Sequence, residues 1–347
     1  MTPDVEVAGL GIAGSLLTLR LAQEGFKVTA YDPLARYEKA CGEQITLEPG
    51  IEGLVKSLGV VKTVVKRVDI FIDGIHLTTI ELKGSPKWVI VDKPRLVNEL
   101  REEARGAGAG LVRSKWDRPS GSLITIDARG PYAIEGRGLS TFAVRLIARV
   151  KRWNPEKAWL DFRPRQGGLY WVFPYDADGH LVNAGVGLLG NNNAVDLRVR
   201  TEAYLRGKLG QAEAVDFKGA PIAAFAPVRL VSGVLFRVGE AAGLVMAWSG
   251  EGNRPAILSS LALSEAIVKR GAENASEVAE TYMKSVDALS RLATAARALT
   301  LLAVSLRSSV ELMRQAPKWF WEGYVRQELS QRDVIKALLE GLAGNTH

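Results

Sequence analysis

The chain carries a single cysteine, Cys41, and only three histidines, His76, His180 and His347, among 347 residues. One thiol closes no internal disulfide and cannot ligate an iron–sulfur cluster, and the histidines are too dispersed for a metal-ligand motif. No metal site is therefore expected, and cysteine this scarce fits a reducing cytoplasm. Blocks of five or more like charges are missing as well, which leaves nucleic-acid binding without support. Residues 1–11 (MTPDVEVAGLG) lack a basic leader followed by an apolar core, so no signal peptide is expected. Long hydrophobic runs are absent: the apolar stretch 298–306 lies between Arg297 and Arg307, far short of the roughly 20 residues that cross a bilayer. Internal repeats and low-complexity tracts are not evident.

What is present belongs to a folded chain of two or three structural units, at about 150 residues each. Hydrophobic residues make up 47%, charged residues 24%, and mean hydropathy is +0.03, far from disorder. The formal charge of +7 favours anionic ligands such as phosphates or acidic lipid surfaces. Residues 5–8 read as a buried strand, 15–24 as a helix ending at Gly25, and 27–31 as a second strand stopped by Asp32-Pro33, a β-α-β unit. The strand 88–91 with the helix 94–107, and the strand 122–127, read as extensions of the same sheet. Residues 60–82 and 142–159 are β-branched and alternating, which fits a separate antiparallel sheet. From Val286 to Met313, apolar residues recur every three or four positions, the pattern of one long amphipathic helix ended by Pro317. A last helix is expected over 331–342, before a frayed 344–347.

The segment VEVAGLGIAGS sets Gly9, Gly11 and Gly14 in a GxGxxG turn between a strand and a helix, where missing side chains let backbone amides approach a pyrophosphate. Asp32 closes the second strand 23 residues after Gly9 (32 minus 9), where a carboxylate accepts from an adenosine ribose. The plainer alternative is a tight packing turn with no ligand. A second copy of the pattern, Gly185, Gly187 and Gly190, is followed by three asparagines rather than by a helix. It reads as a glycine-bearing strand end.

Three further segments, KACGEQI at 39–45, GGLYWVFP at 167–174 and VGEAAGLVMAWSGEGNRPAI at 238–257, give the chain a family likeness. With the first turn, in order and spacing, they resemble the geranylgeranyl reductase family of FAD-dependent oxidoreductases. The resemblance covers about half the chain, residues 1–45 and 165–270. It implies an α/β (α+β overall) fold: a Rossmann-type FAD-binding domain (1–45, 88–130 and 233–285) interleaved with an antiparallel-sheet substrate domain (46–87 and 131–232). C-terminal helices (286–347) complete it.

The same resemblance implies a flavin site of Gly9, Gly11, Ala13, Gly14, Asp32, Cys41, Gly42, Lys93, Gly239, Glu240, Gly250, Glu251 and Gly252. Glu240 stands where relatives have aspartate for the ribityl chain, and Lys93 where they carry arginine. Asp127 and Gly130 resemble the pair that closes the flavin domain. Trp171, Phe173 and Pro174 correspond to the lipid-contact motif, with Trp248 beside the flavin. Tyr170 lies one place beyond the family's tyrosine, and on a strand that slip turns the hydroxyl to the other face. An alternative for these rings is ordinary core packing.

The implied activity is saturation of isolated C=C bonds of an isoprenoid lipid, with hydride from reduced flavin and a proton from Tyr170, Cys41, Glu43 or water. An FAD monooxygenase and a non-catalytic electron-carrying flavoprotein are the alternatives. The partners this implies are the isoprenoid lipid and an external electron donor, NAD(P)H or ferredoxin-like. Lys318-Trp319-Phe320-Trp321, with Tyr324 and Arg326, suggests a cytoplasmic protein with a shallow membrane-docking patch. The competing expectation is that these rings cap the core.

Overall fold

The computed structural model describes residues 3–39, 41–84, 87–134 and 141–343. Ala40, within the 39–45 segment, and the tail 344–347, expected to fray, lie outside them. The first half of the chain forms β1 (Val5–Ala8), α1 (Ile12–Gln23), β2 (Val28–Tyr31), β3 (Gln44–Leu47), α2 (Pro49–Ser57), β4 (Val61–Val65), β5 (Arg67–Ile72), β6 (Ile75–Glu81), β7 (Lys87–Val91), α3 (Lys93–Gly106), β8 (Gly110–Val112) and β9 (Ile124–Asp127). There follow β10 (Thr141–Val150), β11 (Lys157–Arg163), β12 (Gly168–Pro174), β13 (Leu181–Gly187), α4 (Ala194–Leu209), β14 (Ala212–Ile222), β15 (Val231–Ser232) and β16 (Leu235–Arg237). The rest is helical: α5 (Asn253–Arg270), α6 (Ala275–Ser285), α7 (Asp287–Ser305), α8 (Ser309–Gln315), α9 (Lys318–Arg326) and α10 (Gln331–Ala343).

The fold is mixed α/β. One sheet has the order β15-β16-β9-β1-β2-β8, parallel except for the β15–β16 hairpin. Its strands β1 and β9 are buried throughout, as a sheet covered on both faces requires. Helices α1, α3, α5 and α6 enclose it, with Leu16, Leu17, Leu100, Leu263 and Tyr282 in one continuous core. The second sheet, β14-β10-β13-β12-β11-β5-β6, is antiparallel apart from the parallel β11–β5 pair. Helix α4 packs against one of its faces, and residues of α7, α9 and α10 share a core with Leu160, Phe162, Leu169 and Phe173 on the other.

Three expectations are corrected. The strand at 88–91 does not extend the parallel sheet: β7 is the centre of a small antiparallel sheet, β3-β7-β4, which also takes the first strand of the 60–82 segment. The long C-terminal helix is broken, because Leu306 adopts an extended backbone (φ −89°, ψ 129°) ahead of Ser308-Ser309, and the chain restarts as α8. Pro317 does follow the end of α8 at Gln315, but residues 318–326, expected outside any helix, form α9 immediately after it.

Within α9 the aromatic cluster turns inward. Phe320 is 7% and Trp321 1% exposed, packed with Phe162 and Tyr324, so these two rings form no docking patch. Trp319 is held by Glu340, which accepts from its indole N–H at 3.2 Å, and by the Lys336 ammonium over its ring. Helix α7 has 19 residues and a mean hydropathy of 1.2, long and apolar enough by those measures to cross a bilayer. It lays Leu289, Leu292, Ala293 and Ala296 on the core.

Candidate functional site

A cavity of about 1010 Å³ lies between the parallel sheet and the second sheet. Its polar end is the turn after β1. Gly9 has φ +93°, and a Cβ there would lie 2.7 Å from the Ala128 carbonyl oxygen at the end of β9. Gly14 is a packing residue: a Cβ would sit 1.9 Å from the Gly9 oxygen, so α1 approaches the loop only because position 14 is glycine. Gly11 differs, because its nearest neighbour would be a Tyr37 ring carbon at 3.8 Å, leaving a bare gap that opens on the cavity. Gly9, Gly11, Ile12 and Ala13 line that end, with the first amides of α1 free of side-chain caps.

Asp32 stands at the end of β2 on the cavity wall. Its carboxylate accepts from Leu10 N at 2.8 Å, Leu34 N at 2.8 Å and the Arg101 guanidinium at 3.1 Å. Arg101 also donates to the Leu10 and Leu34 carbonyl oxygens, so it braces the glycine turn from α3. Sequence reasoning missed it, since nothing local marks an arginine 91 residues from its partner as part of the turn.

The far end of the same wall is the start of α5. Gly239 (φ +57°) packs on Ala256, and Glu240 behind it accepts from Ala223 N at 2.8 Å and Lys39 Nζ at 3.1 Å. Gly250, Glu251 and Gly252 line the cavity where α5 begins. The buried Lys93 donates to Asn253 Oδ1 at 2.6 Å. Burial opposes the charge on Lys93, but Cys41 and Tyr37 outweigh it and hold its pKa above the ordinary lysine value. Burial pushes the Glu251 carboxyl up to about 6, against the Arg254 amide and charge and the charge of Lys93. Glu43 is buried beneath this floor with φ +60°, and burial raises its pKa although Lys62 donates to it at 3.1 Å. Asp127 accepts two hydrogen bonds from the Arg129 side chain, and Gly130 lies beside Glu240.

The apolar wall comes from β12. Alternation along the strand sends Leu169, Trp171 and Phe173 into the cavity. Gly185 makes room for Trp171, whose indole a Cβ there would strike at 2.2 Å, which accounts for the first glycine of the second pattern. Gly42 leaves space for Phe173 in the same way, at 2.8 Å. Trp171 Nε1 donates to Asn183, and Asn183 donates to the Cys41 carbonyl oxygen, tying the second sheet to the 41–44 segment. The Cys41 sulfur lines the cavity side and accepts from Glu43 N at 3.0 Å. Trp248 meets Tyr324 of α9 edge-on at 5.9 Å, and both line the cavity.

Two expectations fail here for one reason. Tyr170 and Pro174 occupy the odd-one-out face of β12, away from the cavity. Tyr170 stacks on Tyr204 of α4 at 4.5 Å under the Arg163 guanidinium, and burial raises its pKa. Neither residue lines the cavity, so Tyr170 is no proton donor there. Tyr324, expected in a membrane-docking patch, lines it instead, with Leu292 of α7 and Leu329 of the loop between α9 and α10, neither of which was expected there because both are remote in sequence from every motif.

The donor set fits a dinucleotide. A side-chain-free gap faces helix-terminal amides at one end, carboxylates stand at Asp32 and Glu240, and a buried cation meets the α5 terminus beyond them. Among the described residues no group of His, Cys, Asp and Glu is arranged to hold a metal ion.

No protein-family model and no curated protein matches this chain. Solved structures do. A geranylgeranyl bacteriochlorophyll reductase-like protein from Thermoplasma acidophilum superposes with a TM-score of 0.79 at 17% identity, over 99% of this chain and 96% of that one. A flavin-dependent brominase superposes at 0.67 and 17% identity, covering 98% and 94%. PqsL, a probable FAD-dependent monooxygenase from Pseudomonas aeruginosa, superposes at 0.61 and 18% identity, covering 88% and 100%. The fold is thus shared with proteins of flavin chemistry.

Proposed function

We propose that the protein is an FAD-dependent oxidoreductase that saturates C=C bonds of an isoprenoid lipid. The observation that carries this reading is that one cavity joins a bare-glycine, helix-terminal anion cradle to a wall of Leu169, Trp171, Phe173 and Trp248. A hydrophilic substrate would find few partners on that wall, whereas a prenyl chain gains about 25 cal/mol per Å² buried. The name and 0.79 TM-score of the reductase-like neighbour support the same choice.

When bound, FAD supplies the transferable hydride. The chain's own residues then have distinct tasks. Gly11 and the first turn of α1 receive the pyrophosphate, Asp32 the adenosine ribose, and Glu240 the ribityl hydroxyls. Lys93 and the α5 terminus hold positive potential where negative charge would collect. Trp171, Phe173 and Trp248 position the alkene and keep water out. Electrons come from an external donor, NAD(P)H or a ferredoxin-like protein, with no role for nucleic acid. The enzyme works in the cytoplasm.

Anaerobically reduced holoprotein mixed with a prenylated lipid tests the proposal. Reoxidation of the yellow chromophore with a mass gain of two hydrogens per double bond is the expected result. Rapid NADPH oxidation with peroxide release and oxygen insertion would instead assign a monooxygenase. A protein that takes up no FAD would refute both.

A further inference from the structure

Saturating a C=C bond needs a proton as well as a hydride, and the described acids of the cavity differ in how firmly they are tied. Asp32 is held by two backbone amides and Arg101, Glu240 by Lys39 and Ala223 N, and Glu43 by Lys62, while Glu38 is largely exposed at the cavity rim beside Lys218. His76 and His180 are exposed and do not line the cavity, and Tyr170 faces α4. Glu251 stands apart. It sits on a tight turn in which Ser249 N and Gly250 N both donate to the Met246 carbonyl oxygen, and its side chain borders the cavity. Its carboxylate accepts from Arg254 N at 2.8 Å, yet among the described residues it makes no ion pair.

The cations nearby are committed elsewhere: the Arg254 guanidinium to Glu48 at 2.5 Å, and Lys93 to Asn253. The remaining groups that act on Glu251 or on its neighbours are Tyr324 from α9, and Cys41 and Tyr37 through Lys93. The Tyr324 hydroxyl is a weaker acid than ordinary tyrosine because it is buried. Having no ion pair to break among the described residues, Glu251 is the cavity carboxyl that takes a proton at least cost when further negative charge arrives beside it. It does so although the amides of Asn253 and Arg254 and the charges of Arg254 and Lys93 favour its carboxylate.

Resting on the FAD reading, we propose that Glu251 is the proton donor of this chamber. It binds one proton when two electrons load the cofactor and delivers it to the substrate carbon adjacent to the one that receives hydride. The balance closes. Two electrons and one proton travel as the hydride, the second proton leaves the Glu251 O–H bond, and two C–H bonds replace one π bond. Glu251 ends as the carboxylate. Its resting pKa of about 6 leaves it ionised at neutral pH and a modest perturbation away from protonation.

Potentiometric titration of the FAD-loaded protein, with no substrate present, tests this directly. Each proton bound per two-electron reduction adds about 30 mV per pH unit to the slope of the midpoint potential. Near pH 7, where the resting carboxyl is ionised, the wild type should take up close to one proton more than Glu251→Gln on reduction, a slope steeper by about 30 mV per pH unit. Glutamine keeps the acceptor for Arg254 N and cannot titrate, and any titration of the flavin itself persists in both proteins. Equal slopes overturn the proposal while leaving the FAD reading intact; a wild type that binds no FAD overturns the FAD reading and the proposal with it. Should the variant lose FAD, infrared difference spectra of wild type decide. Reduction must then create a carboxylic-acid carbonyl band that shifts with isotope-labelled glutamate, and its absence refutes the assignment.

Discussion

Gly11 and Gly14 sit three residues apart in one motif, yet the structure separates their roles sharply enough for a paired test. At Gly11 the backbone is extended (φ −71°, ψ −166°), which a β-branched residue adopts without strain, and a Cβ meets nothing nearer than 3.8 Å. Gly11→Val should therefore fold with stability within about 1 kcal/mol of wild type, the loss of glycine entropy in the unfolded chain even favouring it. The valine methyls would fill the gap meant for pyrophosphate, so FAD affinity should fall at least a hundredfold, about 2.8 kcal/mol. At Gly14 the added Cβ lies 1.9 Å from a backbone oxygen that cannot rotate away. Gly14→Ala must part α1 from the turn, a cost of about 1–3 kcal/mol or more. Urea melts of the apoproteins and titration of each with FAD, followed by flavin absorbance, separate the two effects. A Gly11→Val protein that binds FAD like wild type would refute the placement of the phosphate site. A Gly14→Ala protein of undiminished stability would refute the close approach.

Trp171→Ala should retain the flavin spectrum while kcat/KM for the lipid falls tenfold or more, about 1.4 kcal/mol, and Tyr170→Phe should leave turnover unchanged; steady-state kinetics of the pair check both. Trp321→Ala removes a ring that is 1% exposed and should cost about 3–5 kcal/mol in urea melts, whereas an unaffected melt would return that ring to the surface. Glu251 titrates at about 6 in the folded chain against 4.5 when unfolded, so the native state binds more protons between those values. Stability of the apoprotein should accordingly rise by about 2 kcal/mol as pH falls through 6 and level off below 4.5. The Glu251→Gln apoprotein should lack that increment.

The amino-acid sequence alone determined the β-α-β unit around Gly9, Gly11 and Gly14, because a strand, a glycine turn and a helix within about 30 residues are set by local forces. It also specified the alternation of β12 and the glycines of β13, since period two is a property of the strand itself. Which of the two faces of β12 became the cavity wall was settled only when α4 covered Tyr170 and Val172 and left Trp171 and Phe173 facing the opposite way. The same holds for β7, a plausible fourth parallel strand by pattern, which hydrogen-bonds to β3 and β4 instead because strand partners are chosen between distant segments. Trp321 reads as a membrane anchor beside Lys318, and it becomes core once Phe162, 159 residues earlier, supplies a buried surface for it (321 minus 162). Arg101 behind the glycine turn and the lack, among the described residues, of an ion pair at Glu251 belong to the same class. Whether a charge is compensated depends on which neighbours the folded chain brings within a few ångströms, and no spacing along the sequence encodes that.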